Sequence, residues 1–154
     1  MAHIHEKIDF VVTVWIVFEG RVLMIFHKKA QLWLPVGGHV ELDEDPEETL
    51  YREVKEECGL EIELIGDKRM EGYPADSRKK LLPTPAYMDI HHFNDTHRHI
   101  SLAYFARAKS NKIVLAEEEH DQIRWFTAEE LEDPKYALIP EMKFLAKEAL
   151  KRTS

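Results

Sequence analysis

Long apolar runs at strand spacing dominate the first part of the chain. Residues 8–18 and 21–27 are two such runs, and the dipeptide Glu19-Gly20 separates them. Two apolar β-branched runs joined by so short a polar, glycine-containing link predict a β-hairpin. The segment LWLPVGGHVEL (32–42) follows and predicts a short strand, a Pro/Gly break and a further short extended piece.

The rest of the chain mixes strand and helix patterns. Alternating or aromatic-rich stretches predict strands at 60–73, 86–93, 99–109 and 122–126, and a polar, proline-bounded loop at 74–85. Thr127 and Glu130 form a capping-box pattern for a short helix, and residues 139–152 have the apolar spacing of an amphipathic helix. Strands interleaved with a few helices predict a layered α/β domain, and no repeat or linker-like tract divides residues 1–154.

The sequence pattern predicts a helix at residues 46–58 and indicates where both of its ends lie. Asp45 suits the N-cap, and Glu48, three residues on, can complete a capping box. Gly59 suits the left-handed position after a helix. Along this helix, an apolar stripe expected to pack on a sheet consists of Leu50, Val54 and Cys58.

Three glutamates of this helix, Glu53, Glu56 and Glu57, are spaced three and four residues apart, so they share one face. Like charges at these spacings repel, and a divalent cation removes the penalty. Mg²⁺ prefers oxygen ligands of this kind. An isolated acidic face is more often simply solvated. Here the context favours a metal, because the adjacent glycines Gly37 and Gly38 allow backbone to approach a ligand closely.

Composition narrows the function further. The chain has 21 basic and 29 acidic residues and a net charge of −8, which argues against general binding to a nucleic-acid backbone. A small phosphorylated ligand stays compatible, because a bound metal supplies positive charge locally. No apolar run is long enough to cross a membrane, the N-terminus lacks a signal-peptide pattern, and a single cysteine fits a reducing compartment. We therefore expect a cytoplasmic protein with no membrane association.

The segment GHVELDEDPEETLYREVKEECGL (38–60) resembles the complete sequence box of the Nudix (MutT-like) hydrolase family. The residues at fixed spacing that carry the resemblance are Gly38, Glu44, Arg52, Glu53, Val54, Glu56, Glu57, Gly59 and Leu60. The segments LWLP (32–35) and 119–131 also look like family landmarks. One departure is that Val36, where the family more often has proline, precedes the two glycines, and we expect only a small change in loop shape.

The resemblance implies an α/β/α sandwich with a mixed β-sheet and hydrolysis of a diphosphate bond, usually in a nucleoside diphosphate derivative. It implies Mg²⁺ as cofactor, with Mn²⁺ as a substitute. The metal ligands of the family fall on Glu53, Glu56, Glu57 and the carbonyl of Gly38. Arg52 and Glu44 fall on the pair that holds the loop against the helix.

A carboxylate must accept the proton of the attacking water. Glu53 and Glu56 are candidates on the helix. The family sometimes uses a loop glutamate instead, and Glu119, in an acidic loop with Glu117 and Glu118, has a family-like place six residues before Trp125. A solvent-exposed acidic loop is an equally good interpretation of that segment.

The remaining candidate residues carry weaker signals. His97 and His99 would share one strand face, where a polar strand end is the first interpretation, substrate contact the second and structural zinc the third. Arg78, Lys79 or Lys80 could clamp a terminal phosphate of the substrate, although solvated loop charge is the first interpretation of that segment and phosphate binding the second.

Three functions are compatible with the sequence. The first is a metal-dependent pyrophosphohydrolase of small nucleotides, whose substrate could be a nucleoside triphosphate, an ADP-ribose-like compound or a dinucleoside polyphosphate. The second is a catalytically silent nucleotide-sensing module, which usually lacks glutamates that this sequence keeps. The third is hydrolysis of RNA 5′ ends, against which the acidic charge and the lack of a basic domain count. Dimers are common in the family, so a homodimer stays open.

Overall fold

The structure, a computed structural model, describes residues 6–114 and 120–154. Within these ranges the strands are β1 (Ile8–Phe18), β2 (Arg21–His27), β3 (Leu32–Leu34), β4 (Val36–His39), β5 (Ile62–Ile65), β6 (Tyr87–Asn94), β7 (His97–Ala108) and β8 (His120–Phe126). The helices are α1 (Pro46–Glu57), α2 (Ala128–Leu131), a 3₁₀ turn (Pro134–Tyr136) and α3 (Pro140–Thr153). None of the helices in the described part of the chain is long and apolar enough to cross a membrane.

All the described strands join one mixed sheet whose main order is β3-β2-β1-β7-β5. Among the pairings between described strands, β1 and β7 run parallel and the others are antiparallel. The predicted hairpin is confirmed, with Phe18 opposite Arg21 across a two-residue turn. Both turn residues, Glu19 and Gly20, have positive φ angles (47° and 74°), which is the backbone that the twist of a tight hairpin favours.

Two apolar layers cover the two faces of this sheet. On one face, Val12, Val14 and Ile16 of β1 pack with Leu50 and Val54 of α1. On the other face, side chains that include Trp15, Val17, Phe105, Ala146 and Ala149 join β1 and β7 to α3. The predicted α/β/α sandwich with a mixed sheet is therefore confirmed, with α1 and α3 on opposite sides of β1.

The strand predicted over 60–73 is wrong in its length, since β5 covers only Ile62–Ile65. Gly66 follows with a φ of 75°, which ends the extended run. The edge of β7 that β5 pairs with is also occupied farther along by β6, from Tyr87 opposite Ala103 onward. Side-chain alternation could not reveal that two strands share one edge end to end.

Candidate active site

Local hydrogen bonds place α1 where the sequence predicts it. The Asp45 carboxylate accepts from the backbone N–H of Glu48 at 2.9 Å, and the Glu48 carboxylate accepts from the Asp45 N–H at 3.2 Å. This capping box satisfies two backbone donors that a helix start leaves without partners. At the other end Gly59 has a φ of 67°, as expected for the residue that follows a helix.

The predicted apolar stripe anchors this helix to the sheet. Leu50, Val54 and Cys58 are all buried in the core cluster on that face. Burial raises the pKa of the Cys58 thiol to about 11, which leaves the thiol protonated and unreactive at neutral pH. The face of α1 that carries the glutamates is thereby fixed in rotation relative to the sheet.

The three glutamates do not form one uniform acidic face. Glu53 and Glu57 are 3% and 1% exposed, whereas the Glu56 side chain is 57% exposed. A separation of four residues brings Glu53 and Glu57 above one another toward the sheet, and Glu56 turns toward solvent. The Glu57 carboxylate accepts from the backbone N–H of Gly37 at 2.8 Å, so it lies directly against β4.

Gly38 of β4 lies against Glu53. A Cβ atom built on Gly38 would stand 2.1 Å from Oε1 of Glu53, which is too close unless the end of the Glu53 side chain moves. This close approach brings a glycine backbone and carboxylate oxygens into one small space beside α1. Such an all-oxygen donor set suits Mg²⁺ or Mn²⁺. The residues present therefore fit the divalent cation that the sequence implies.

Arg52 connects the loop before α1 to the glutamates. Its Nε and Nη2 atoms donate to the two carboxylate oxygens of Glu44 at 2.6 and 2.9 Å, which is the predicted pair in bidentate form. Its Nη1 atom donates to Glu53 at 2.9 Å and to Glu56 at 3.2 Å. Nη2 also donates to the carbonyl of His39 at 3.2 Å. One guanidinium thus links the loop, β4 and two of the glutamates.

Glu44 gives this linkage a defined dependence on pH. Hydrogen bonding by Arg52 is the main cause that holds the pKa of the Glu44 carboxyl below its usual value, and Glu41 N–H and Thr49 Oγ1 also donate to it. A carboxyl whose pKa is lower in the folded state stabilises the fold above its unfolded pKa of about 4.3. That stabilisation disappears as the pH falls through the lower folded value.

We expect Glu44→Gln to lower the free energy of unfolding at pH 7 by about 1–2 kcal/mol, because hydrogen bonds from a charged donor to a carboxylate are worth about this much when partly screened. Urea unfolding of wild type and variant at pH 7 and again near pH 3 measures the difference, which should shrink at the lower pH. Glu41→Gln is the matched control, since the Glu41 carboxylate is 42% exposed and 3.9 Å from Arg52. An equal loss for both variants, or a gap that does not change with pH, contradicts the assignment.

The sequence predicts four further site residues, and three of them, Arg78, His97 and His99, are among the described residues. Glu119, with Glu117 and Glu118, lies outside the described residues. Arg78 is exposed in the loop between β5 and β6. His97 and His99 are buried, at 3% and 8% exposure, near the start of β7.

These two histidines do share a strand face, and that face is opposite the one that α1 covers. His99 lies on the side of β7 that also carries Phe105, which packs toward α3. Sequence reasoning missed two residues beside His99, namely Asp9 of β1 and His39 of β4. Asp9, His39 and His99 each offer a ligand atom within 4.8 Å of the others. We call these three residues the Asp–His cluster.

Comparison with known proteins agrees with the fold. The family model of the NUDIX domain matches residues 8–147. A NUDIX-family hydrolase from Clostridium perfringens is similar over 95% of this chain and 98% of its own, with 32% identity and a TM-score of 0.80. A MutT NUDIX hydrolase from Burkholderia pseudomallei covers 97% and 100%, with 23% identity and a TM-score of 0.65.

An Ap4A hydrolase from Caenorhabditis elegans shares the fold at 17% identity and a TM-score of 0.59, with 91% of this chain and 93% of its own chain covered. No curated protein matches the sequence significantly. The match to the NUDIX domain and the similarity to NUDIX-family hydrolases show a hydrolase that acts on pyrophosphate bonds. The chain belongs to the Nudix family.

Proposed function

We propose that this Nudix hydrolase is a divalent-metal-dependent pyrophosphohydrolase that cleaves a diphosphate bond in a nucleoside diphosphate derivative by attack of water on phosphorus. The observation that carries the proposal is the burial of Glu53 and Glu57 against Gly37 and Gly38. Burying two carboxylates near each other is costly unless positive charge or hydrogen bonds compensate for the lost solvation, and a bound divalent cation supplies such charge.

In this proposal Glu53, Glu56, Glu57 and the Gly38 carbonyl hold Mg²⁺, with Mn²⁺ as a substitute. When bound, the cation neutralises phosphate oxygens and lowers the pKa of water near the scissile bond. The protein's own part is to fix these oxygens: Gly37 N–H orients Glu57, and Arg52 orients Glu53. Glu53 or Glu56 on α1 accepts the water proton, with Glu119 as the loop alternative.

The leaving group distinguishes the candidate substrates. A nucleoside triphosphate, an ADP-ribose-like compound and a dinucleoside polyphosphate all contain the bond, and the Caenorhabditis elegans Ap4A hydrolase of the same fold supports including the last of these. Substrate contacts by Arg78, His97 and His99 stay predictions, as do a homodimer and a cytoplasmic location. The net charge of −8 supports a small nucleotide in preference to RNA and gives no reason to expect stable nucleic-acid binding.

A substrate panel tests this proposal. The protein, freed of metal and then given Mg²⁺ or Mn²⁺, is incubated in H₂¹⁸O with one compound of each class and with a 5′-triphosphorylated RNA, and the products are separated by chromatography and mass spectrometry. We expect one class to be cleaved only with added metal, and ¹⁸O to appear in one phosphate product. Cleavage of no compound under either metal favours the nucleotide-sensing alternative. Cleavage confined to triphosphorylated RNA ends supports the RNA alternative.

A further inference from the structure

The Asp–His cluster lies on three neighbouring strands, near the start of β1 and β7 and at the end of β4. Asp9 of β1 is the direct register partner of His99 on β7, and His39 of β4 lies on the other side of β1, opposite Val11. Asp9 is 1% exposed and His99 8%, and the His39 side chain is 13% exposed. Three chemically suited side chains are therefore held together by backbone pairing alone, in a largely buried place.

The Asp–His cluster is separate from Glu53, Glu56 and Glu57 of α1, which we call the box glutamates. Alternation along β4 puts Val36 and Gly38 on the α1 side and His39 on the opposite side, and alternation along β1 puts Asp9 on the same side as Trp15. Glu53 and Glu57 belong to the α1 side. The thickness of the sheet thus lies between the two sets of side chains.

The distances suit one ion. Ligand atoms at about 2.0–2.1 Å from a tetrahedral Zn²⁺ lie about 3.3–3.4 Å from one another. Oδ2 of Asp9 and Nε2 of His39 are 3.4 Å apart, and a ligand atom of His99 is within 4.8 Å of both partners. Since 4.8 Å is the upper limit of its distance from the other two atoms, the His99 atom has to move by at most about 1.5 Å to reach that spacing.

The donor set also selects the metal. Two imidazoles and one carboxylate favour Zn²⁺ and similar transition ions, whereas Mg²⁺ prefers oxygen ligands only. Metal-binding carboxylates are usually held by a further hydrogen-bonding group. His97 supplies one here: its Nε2 is 3.2 Å from Oδ2 of Asp9, and its Nδ1 is 2.9 Å from the carbonyl of Glu6.

We propose that Asp9, His39 and His99 form a second metal centre that binds one Zn²⁺ or similar transition ion on the sheet face opposite the box glutamates. The ion ties β4, β1 and β7 together. His97 is a positioning residue for Asp9. Because His39 directly follows Gly38, the ion also restrains the strand that carries the glycines of the active site.

Zinc titration of the full chain tests the proposal without an activity assay. Bound metal is removed from the protein with a chelator, and excess Mg²⁺ is added to occupy the site proposed at Glu53, Glu56 and Glu57. Zn²⁺ binding is then measured by calorimetry and thermal unfolding. We expect one equivalent to bind despite the Mg²⁺, and the melting temperature to rise by about 5–10 °C at Zn²⁺ concentrations about 100-fold above the Kd.

Variants of the proposed ligands, compared with control variants, test which residues bind the ion. Asp9→Asn and His99→Asn should weaken Zn²⁺ binding by at least about 10-fold, whereas His92→Asn, on the exposed strand β6, should not change it. Glu57→Gln should keep the zinc equivalent, which separates this site from the proposed catalytic one. Equal Zn²⁺ affinity in wild type and in folded Asp9→Asn and His99→Asn overturns the proposal and leaves a hydrogen-bonded polar cluster.

If circular dichroism shows that the variants do not fold, the test is the visible absorption spectrum of the wild-type protein with added Co²⁺ and excess Mg²⁺. Nitrogen ligands in a four-coordinate site give an intense visible absorption. A spectrum no stronger than that of hydrated Co²⁺ overturns the proposal.

Discussion

Glu57→Gln is expected to lower kcat by about 10²–10³-fold at saturating Mg²⁺, a loss typical of removing one group that stabilises charge in the transition state. Glutamine keeps the shape and can still accept from Gly37 N–H, as Glu57 does at 2.8 Å, so the loss reports the missing charge. Glu56→Gln should also lower kcat. Its effect on stability should be near zero, since the side chain is 57% exposed.

The measurement is steady-state kinetics on the substrate that the panel identifies, together with calorimetric Mg²⁺ or Mn²⁺ binding. Glu71→Gln makes the same charge change at an exposed loop position and serves as the control. Wild-type rates and wild-type metal affinity in both Glu56→Gln and Glu57→Gln would show that these carboxylates do not hold the metal.

Gly38→Ala is expected to reduce kcat/KM by about 10²-fold while the protein stays folded. The added Cβ would stand 2.1 Å from Oε1 and 2.4 Å from Cδ of Glu53, so the end of that side chain must move. A displacement of about 1 Å at a reacting centre costs roughly this factor. Kinetics, metal binding and urea unfolding of the variant measure the two effects separately.

Gly37→Ala provides the contrast on the neighbouring residue. Its Cβ would stand 2.2 Å from the backbone oxygen of Val12, which cannot rotate away, so we expect the larger loss of stability here, about 1–3 kcal/mol. A Gly38→Ala enzyme with full activity, or one that unfolds more readily than Gly37→Ala, contradicts the close packing of Gly38 on Glu53.

The parts of the structure that could be predicted from the sequence are those with local causes. The hairpin turn, both capping boxes and the left-handed Gly59 follow from residues within a few positions of one another. The Arg52–Glu44 pair is eight residues apart and fell within a recognisable box. The limits of β5 depend on β6 occupying the same edge of β7, which no local pattern contains.

The Asp–His cluster shows the same limit at the level of a site. Asp9 and His99 meet because β1 and β7 pair in parallel, with about ninety residues between them in the chain. The distance between Asp9 and His99 along the chain matches no known metal-binding motif. His39 follows Gly37 and Gly38, which the sequence assigns to the site beside α1, on the other face of the sheet. The unequal exposure of Glu53, Glu56 and Glu57 likewise depends on how α1 packs on the sheet.

Arg52 divides its guanidinium between two tasks. Nε and Nη2 hold Glu44, while Nη1 alone touches Glu53 and Glu56. The protein itself therefore places a positive charge beside those two carboxylates, and the pair with Glu44 holds that guanidinium in position. A cation bound by Glu53 and Glu56 would replace the contacts of one nitrogen, while the other two nitrogens keep Arg52 bound to Glu44.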